Sequence, residues 1–244
     1  METYIFEDDV IGQRFARALL ARQAAGVQVN LIRDSVGTLG TPQAFFSELG
    51  AAGVQIVEFN PVNPLTAKAG WQVNQRDHRK LLVIDGRIAF LGGVNISSVY
   101  SGSSPHLGEQ VPMSGDLPWR DTHLRLEGPA VADLQKLFII TWAKQQGAPL
   151  PARHYFPPPE QRGNEVVRVI GSSPDEPYSL IYVTLISALR SAQSEIWLTN
   201  AYFVPDPQLL TTFKEAVGRG VDVRLILPSR TDSWLVFHAG RAYY

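Results

Sequence analysis

With 244 residues, 45% of them hydrophobic and 18% charged, the chain has the length and composition of a globular protein able to bury a core. Its 22 basic and 23 acidic residues give a formal net charge of −1, which argues against a protein that grips nucleic acid through a strongly basic face. Cysteine is absent, which excludes disulfides, thiolate catalysis and cysteine-based zinc sites, and no run approaches the ~18 apolar residues of a bilayer-spanning helix.

The opening METYIFEDDV carries neither the basic n-region nor the apolar h-region of a secretory leader, and ETYIF within it reads as a short strand. DDVIGQRFARALLARQAAG then predicts a helix: acidic residues stand at its start, Ile11, Phe15 and Leu19 share one face, and Gly26 suits its C-terminal stop. A strand follows at VQVNLIR, where Val27, Val29 and Leu31 alternate. Thr41-Pro42 opens a second helix through PQAFFSELGAAG, which leads into the strand VQIVEF. Alternating strands and helices predict an α/β layered fold, a mixed sheet flanked by helices. KLLVIDGRIAFLGG reads as a hairpin turned by Asp85-Gly86. Residues 97–118 form a long polar loop suited to a lid or insertion. THLRLEG is an alternating strand with His123 facing the surface, and SWLVF at 233–237 reads as part of an amphipathic core helix.

The stretch 148–165 holds five prolines between positions 149 and 159, too many for a helix interior or a central strand, and predicts an extended linker or surface crossover between lobes. Beyond it the chain repeats itself. YIFEDDVIGQRFARALLARQAAGVQVNLI has a counterpart in AYFVPDPQLLTTFKEAVGRGVDVRLIL, with Gly26-Val27-Gln28-Val29 matching Gly220-Val221-Asp222-Val223 at an offset of 194. His78 lies 46 residues after Ile32, so an equivalent histidine is expected about 28 positions beyond Tyr244.

The chemistry concentrates in DHRKLLVID, residues 77–85. His78 and Lys80 stand just before or at the first strand of the hairpin, two residues apart and therefore on one side of an extended chain, roughly 7 Å apart along it. A nucleophile and a cation so placed can share one phosphate. Asp85 has the opposite parity and belongs to the turn, where a structural role is as natural as a catalytic one. After the hairpin, Asn95 follows Gly92 and Gly93. Its amide can donate to a phosphoryl oxygen, and the glycines permit close backbone approach.

His-x-Lys, four residues, Asp-Gly in a hairpin, then Gly-Gly-x-Asn resembles the signature of the phospholipase D superfamily, matched by His78, Lys80, Asp85, Gly92, Gly93 and Asn95. ETYIFEDD, FNP at 59–61 and WRDTHLRLEGPAV at 119–131 are similar to its bacterial cardiolipin synthase branch. The resemblance implies a phospholipase D-like fold. One lobe is nearly complete over 1–147, the linker occupies 148–165, and 166–244 form the N-terminal part of a second lobe. It also implies a covalent phosphohistidine, with a second histidine as acid and base, and charge stabilisation by lysines and asparagines, with no metal or cofactor required. His78 is then nucleophile or acid/base, with nucleophile preferred. Asp121 is the carboxylate expected on its other ring nitrogen, and Gly93 and Asn95 are expected at the substrate.

The expected activity is phosphatidyl transfer between phosphatidylglycerol molecules by a peripheral protein of the bacterial inner membrane. The anionic lipid is substrate, and no nucleic acid partner is expected. The alternatives are a hydrolytic phospholipase D or nuclease of the same chemistry, or a truncated chain without catalysis. His106, His123, His154 and His238 lack a lysine two residues on, so the second motif is missing. The isolated chain is expected to turn over poorly unless a homodimer brings two His78 side chains together.

Overall fold

The computed structural model describes residues 1–62, 75–103, 119–173, 176–228 and 234–243. These fall into two compact units that divide near residue 170. The first contains β1 (Glu2–Thr3), α1 (Val10–Ala24), β2 (Asn30–Asp34), α2 (Gln43–Ala51), β3 (Gln55–Phe59), β4 (Leu81–Ile84), β5 (Ile88–Gly92), β6 (His123–Glu127) and α3 (Ala130–Lys144). Six strands form one sheet in the order β3-β2-β1-β4-β5-β6. The pairings β3–β2 and β2–β1 are parallel, whereas β1–β4, β4–β5 and β5–β6 are antiparallel.

Alternation along the strands feeds two cores. Leu31 of β2 joins Phe6, Phe45, Phe46 and Leu49 on one face, and Ile32 joins Leu81, Ala89, Leu134, Phe138 and Trp142 on the other. Strand β2 is thus buried on both sides, as a strand inside a helix-covered parallel sheet must be. Helices α1 and α2 contribute to the first core and α3 to the second.

Two strands differ in length from their sequence expectation, each for a local reason. The ladder of β1 stops at Thr3 because the Ile5 amide donates to the Asn95 side chain instead of to a neighbouring strand; a bridge resumes only at Phe6, opposite Ile96. Strand β2 begins at Asn30 rather than Val27 because the preceding residues close α1. The Val27 amide donates to the Arg22 carbonyl, and that of Val29 to the Gln23 side chain.

The proline-rich stretch expected to link two lobes at 148–165 is laid against the first unit. Trp142 Nε1 donates to the Ala148 carbonyl at 2.8 Å, Leu150 packs on the second core, and Arg87 pairs with Glu160 at 2.8 Å. Prolines withdraw amides from ladder duty but leave carbonyls free for such side-chain contacts.

The second unit contains α4 (Leu180–Ser191), β7 (Glu195–Thr199), α5 (Pro207–Gly218), β8 (Asp222–Ile226) and α6 (Trp234–Arg241), with β7 and β8 parallel. Its β7-α5-β8 run repeats β1-α1-β2 in detail. Asp9 and Asp206 each cap their helix by accepting an amide three residues on, from Gly12 and Leu209, and Gly26 and Gly220 each follow with positive φ, 83° and 88°. Among the described residues no helix is long and apolar enough to cross a membrane.

Candidate active site

Strand directions decide what can meet. The parallel strands β1, β2 and β3 end at the same edge of the sheet where the antiparallel β4 and β6 begin and β5 ends. Asp34 ends β2 at that edge, and Tyr4, Asn60, His78, Lys80, Gly93, Asn95 and Asp121 follow or precede a strand there. Ligands of α/β sheets collect at the carboxyl ends of parallel strands for this reason.

His78 and Lys80 lie in the extended segment leading into β4. Lys80 is 7% exposed, and its Nζ stands 3.0 Å from His78 Nδ1 while donating to the His78 carbonyl at 2.6 Å. The imidazole itself is exposed. Its ring lies 4.6 Å from that of Tyr4, and the Lys80 ammonium sits 5.1 Å from the same Tyr4 ring. The two side chains of the sequence motif therefore converge. Partial desolvation, then the neighbouring Lys80 ammonium, pulls His78 below the ordinary imidazole range, against the opposing pull of Asp34, Asp77 and Asp121. Burial lowers Lys80 to about 8, although the same three carboxylates oppose it. Both shifts favour the neutral forms that burial demands, yet between them lies a window in which imidazole is neutral and ammonium charged.

The backbone carrying this pair is fastened residue by residue. The Gln75 carbonyl accepts from Asn60 Nδ2 at 2.8 Å, Arg76 Nη1 donates to Ser35 Oγ at 2.7 Å and to the Asn60 carbonyl at 2.9 Å, and the Asp77 amide donates to Asp34 Oδ2 at 2.9 Å. Alternate side chains, Asp77 and Arg79, point to the opposite face. There Arg79 Nε lies 3.2 Å from both Asp77 Oδ1 and Glu2 Oε2, and its Nη2 donates to Thr141 Oγ1 at 2.5 Å. Glu2 is 1% exposed. Burial, reinforced by the Asp77 charge, pushes its carboxyl up to about 7 despite Arg79.

The remaining expected site residues are placed as follows. Asp85 takes the first position of the turn between β4 and β5, with φ 52° followed by Gly86 at 63°, and is exposed. Four strand residues at ~3.3 Å each separate it from Lys80, so it sits at the opposite edge of the sheet and does not join the pair. We therefore expect Asp85→Asn, which suits the same backbone, to keep turnover of the full-length protein within about twofold. A tenfold fall in kcat would return Asp85 to the chemistry.

Asn95 is 7% exposed, its Oδ1 accepting from the Ile5 amide at 3.1 Å and its Nδ2 donating to the Tyr100 hydroxyl at 2.8 Å. It is thus committed to tying the broken end of β1 to the segment after β5. Asn95→Ala leaves a buried amide and hydroxyl without these partners, an expected cost of about 2 kcal/mol. A denaturant midpoint unchanged by the substitution would contradict it.

Asp121 sits in front of β6 against Gly93: a Cβ at position 93 would stand 2.0 Å from Asp121 Oδ1, and the Gly93 amide donates to the Thr122 carbonyl at 2.9 Å. Glycine is needed there for packing. No hydrogen bond joins Asp121 to His78, and Nδ1 faces Lys80 instead, so the carboxylate reaches the imidazole through its field alone. His123 is exposed on β6. Residues 104–118 of the expected lid lie outside the described residues.

Tyr4 and Asp34 were not singled out by sequence reasoning. The signal for Asp34 was its place directly after the expected strand in Asp-Ser-Val-Gly-Thr, an Asx-turn pattern; Tyr4, in the middle of the strand expected at ETYIF, gave none.

An α/β unit that brings an imidazole and an ammonium together at the carboxyl edge of a mixed sheet is the arrangement expected of a phospholipase D-like protein. The family model described as "Cardiolipin synthase, PLD-like domain" matches residues 1–101 and 185–244, and the chain belongs to that family. It is 38% identical over its whole length to a cardiolipin synthase of Geobacillus kaustophilus (strain HTA426) and 35% identical to cardiolipin synthase A of Pseudomonas entomophila (strain L48). It covers 47% and 48% of those proteins, and so spans about half the length of these curated relatives. The fold is similar to that of phosphatidylserine synthase from Haemophilus influenzae Rd KW20, with TM-score 0.59, 14% identity, and coverage of 99% of this chain and 61% of that one.

Proposed function

We propose that the chain carries one half of the active site of a phosphatidyltransferase of the cardiolipin synthase type. The observation that supports this reading is the 3.0 Å approach of Lys80 Nζ to His78 Nδ1 at the open edge of the sheet. A phosphate bound there meets a nucleophile and a cation together.

While Nδ1 accepts from Lys80, a neutral imidazole holds its proton on Nε2. An anionic phosphodiester draws the ammonium to its own oxygens. Nδ1 is then free to take the proton, and Nε2 carries the lone pair. That nitrogen attacks phosphorus in line, the bond to the glycerol oxygen of one phosphatidylglycerol breaks, and a phosphatidyl-histidine remains. A second histidine, from the rest of a full-length protein or from a second copy of this chain, protonates the departing glycerol. It then takes the proton of the incoming hydroxyl of another phosphatidylglycerol. That oxygen forms the new bond to phosphorus as the bond to His78 breaks, giving cardiolipin and restoring the imidazole. Lys80 neutralises charge on the equatorial oxygens throughout.

The near-neutral net charge supports a lipid rather than a nucleic acid substrate, and association with the inner membrane surface as a peripheral protein follows from the substrate. Alone, the 244-residue chain is expected to turn over poorly. The test is to incubate the full-length protein with phosphatidylglycerol vesicles and, separately, with DNA. Cardiolipin with free glycerol supports the reading. Phosphatidic acid with glycerol assigns water as acceptor, and cleaved DNA alone overturns the lipid assignment.

A further inference from the structure

Asp34 ends β2, is 0% exposed, and accepts three backbone amides. Its Oδ1 takes those of Val36 at 2.9 Å and Gly37 at 3.1 Å, closing an Asx turn, and its Oδ2 takes that of Asp77 at 2.9 Å. The third bond is what a turn residue does not need. It crosses from one strand end to the segment that carries the motif, 43 residues away, and fixes the residue immediately before His78.

The turn that Asp34 closes also presses on Tyr4. A Cβ at Gly37 would stand 2.2 Å from the Tyr4 carbonyl oxygen and 2.9 Å from its ring. Tyr4 in turn faces both the His78 ring and the Lys80 ammonium. One carboxylate therefore holds the backbone before the imidazole and, through the turn, the aromatic ring beneath it.

We propose that Asp34 is a positioning residue for the His78–Lys80 pair, setting the place of the imidazole through the Asp77 amide and placing a fixed negative charge behind both side chains. This rests on the proposed phosphohistidine chemistry for its consequence in turnover, though not for its geometry. An uncharged acceptor would serve the turn, since asparagine closes such turns as aspartate does and serine does so more weakly. A carboxylate kept wholly out of water is held there at a desolvation cost, and burial raises the Asp34 pKa accordingly, opposed by the amides of Gly37, Asp77 and Val36 and by Arg76 at 4.0 Å.

The groups acting on His78 are Tyr4 after β1, Asp34 at the end of β2, Lys80 on its own segment, Asp121 before β6 and, from the opposite face, the charge of Asp77. Removing the Asp34 charge leaves the Lys80 ammonium less opposed, so the imidazole must titrate at lower pH.

The experiment is to follow the His78 ring resonances by NMR across pH in the 244-residue chain, in Asp34→Asn and in Asp133→Asn, which removes an exposed carboxylate from the first turn of α3. Asp34→Asn is expected to move the His78 midpoint to lower pH and to shift the Asp77 amide, and Asp133→Asn to do neither. In the full-length protein, Asp34→Asn is expected to lower kcat about 10- to 100-fold with KM within about threefold.

An unmoved His78 midpoint overturns the proposal, and so does a shift that Asp133→Asn reproduces. If Asp34→Asn does not fold, Asp34→Ser retains a turn acceptor and is read in the same way. Failure of both to fold makes Asp34 a support of the whole unit, and the proposal falls. Absence of turnover in the unmodified full-length protein would strike the chemistry of the preceding section and leave the NMR result standing.

Discussion

His78→Ala in the full-length protein is expected to lower kcat for phosphatidyl transfer by about 10⁴-fold or more, with KM changed only a few-fold. The split follows from the site. Lys80 is buried and tethered to the His78 backbone carbonyl, a contact that alanine preserves, so phosphate binding persists while the nucleophile is gone. The segment is anchored through Gln75, Arg76 and Asp77 rather than through the imidazole, so the fold should survive, as an unchanged thermal transition would verify. The measurement is cardiolipin formed per enzyme at saturating phosphatidylglycerol. A loss smaller than about tenfold would mean that His78 is not the attacking group.

The second large effect belongs to Lys80. Lys80→Met is expected to cost about 10²- to 10³-fold in kcat/KM, the usual toll of removing a donor from developing phosphoryl charge in a site partly closed to water. Its pH dependence carries a definite sign. Lys80 must be protonated to act, and burial has brought it down to about 8, so kcat/KM of the unmodified protein should fall as pH rises through that value. His78 must be neutral to attack, and its lowered pKa places the acid limb below the usual imidazole range. In kcat the basic limb should lie higher, because a bound phosphodiester stabilises the ammonium. Lys80→Arg, which keeps its charge at all working pH, should remove the fall near 8 and leave only the limb set by the acid histidine, while losing part of the rate through its different reach. A basic limb near 8 that survives in Lys80→Arg would assign that ionisation elsewhere.

What the sequence disclosed and what it concealed follow from how far each interaction reaches along the chain. His78 and Lys80 were legible as partners because two residues of extended chain share a side by geometry alone. Asp85-Gly86 was legible as a turn because the tight β4–β5 connection requires positive φ at both positions, which Asp and Gly tolerate. The strand-helix-strand repeat was legible because its aspartate caps and C-terminal glycines recur at matching places.

Asp34 was hidden because its decisive partner, the Asp77 amide, is remote in sequence and has no side-chain signature. Asn95 was read as a donor to substrate; its ties to the Ile5 amide through Oδ1 and to the Tyr100 hydroxyl through one Nδ2 hydrogen had no local signature. Asp121 was expected on an imidazole nitrogen that Lys80 occupies. The proline-rich stretch was legible as an extended linker or surface crossover, but not the docking of the Ala148 carbonyl and Leu150 on the first unit. In each case a local rule was sound, and the structure adds a contact that the rule does not register.

The attack of His78 on phosphorus is tested most directly by trapping the intermediate. Full-length protein is mixed with phosphatidylglycerol labelled in its phosphate, quenched in alkali within one turnover, and digested. The account predicts an acid-labile, alkali-stable label on the peptide that contains His78, absent from His78→Ala. A label of equal yield on another residue, persisting in that variant, would contradict it.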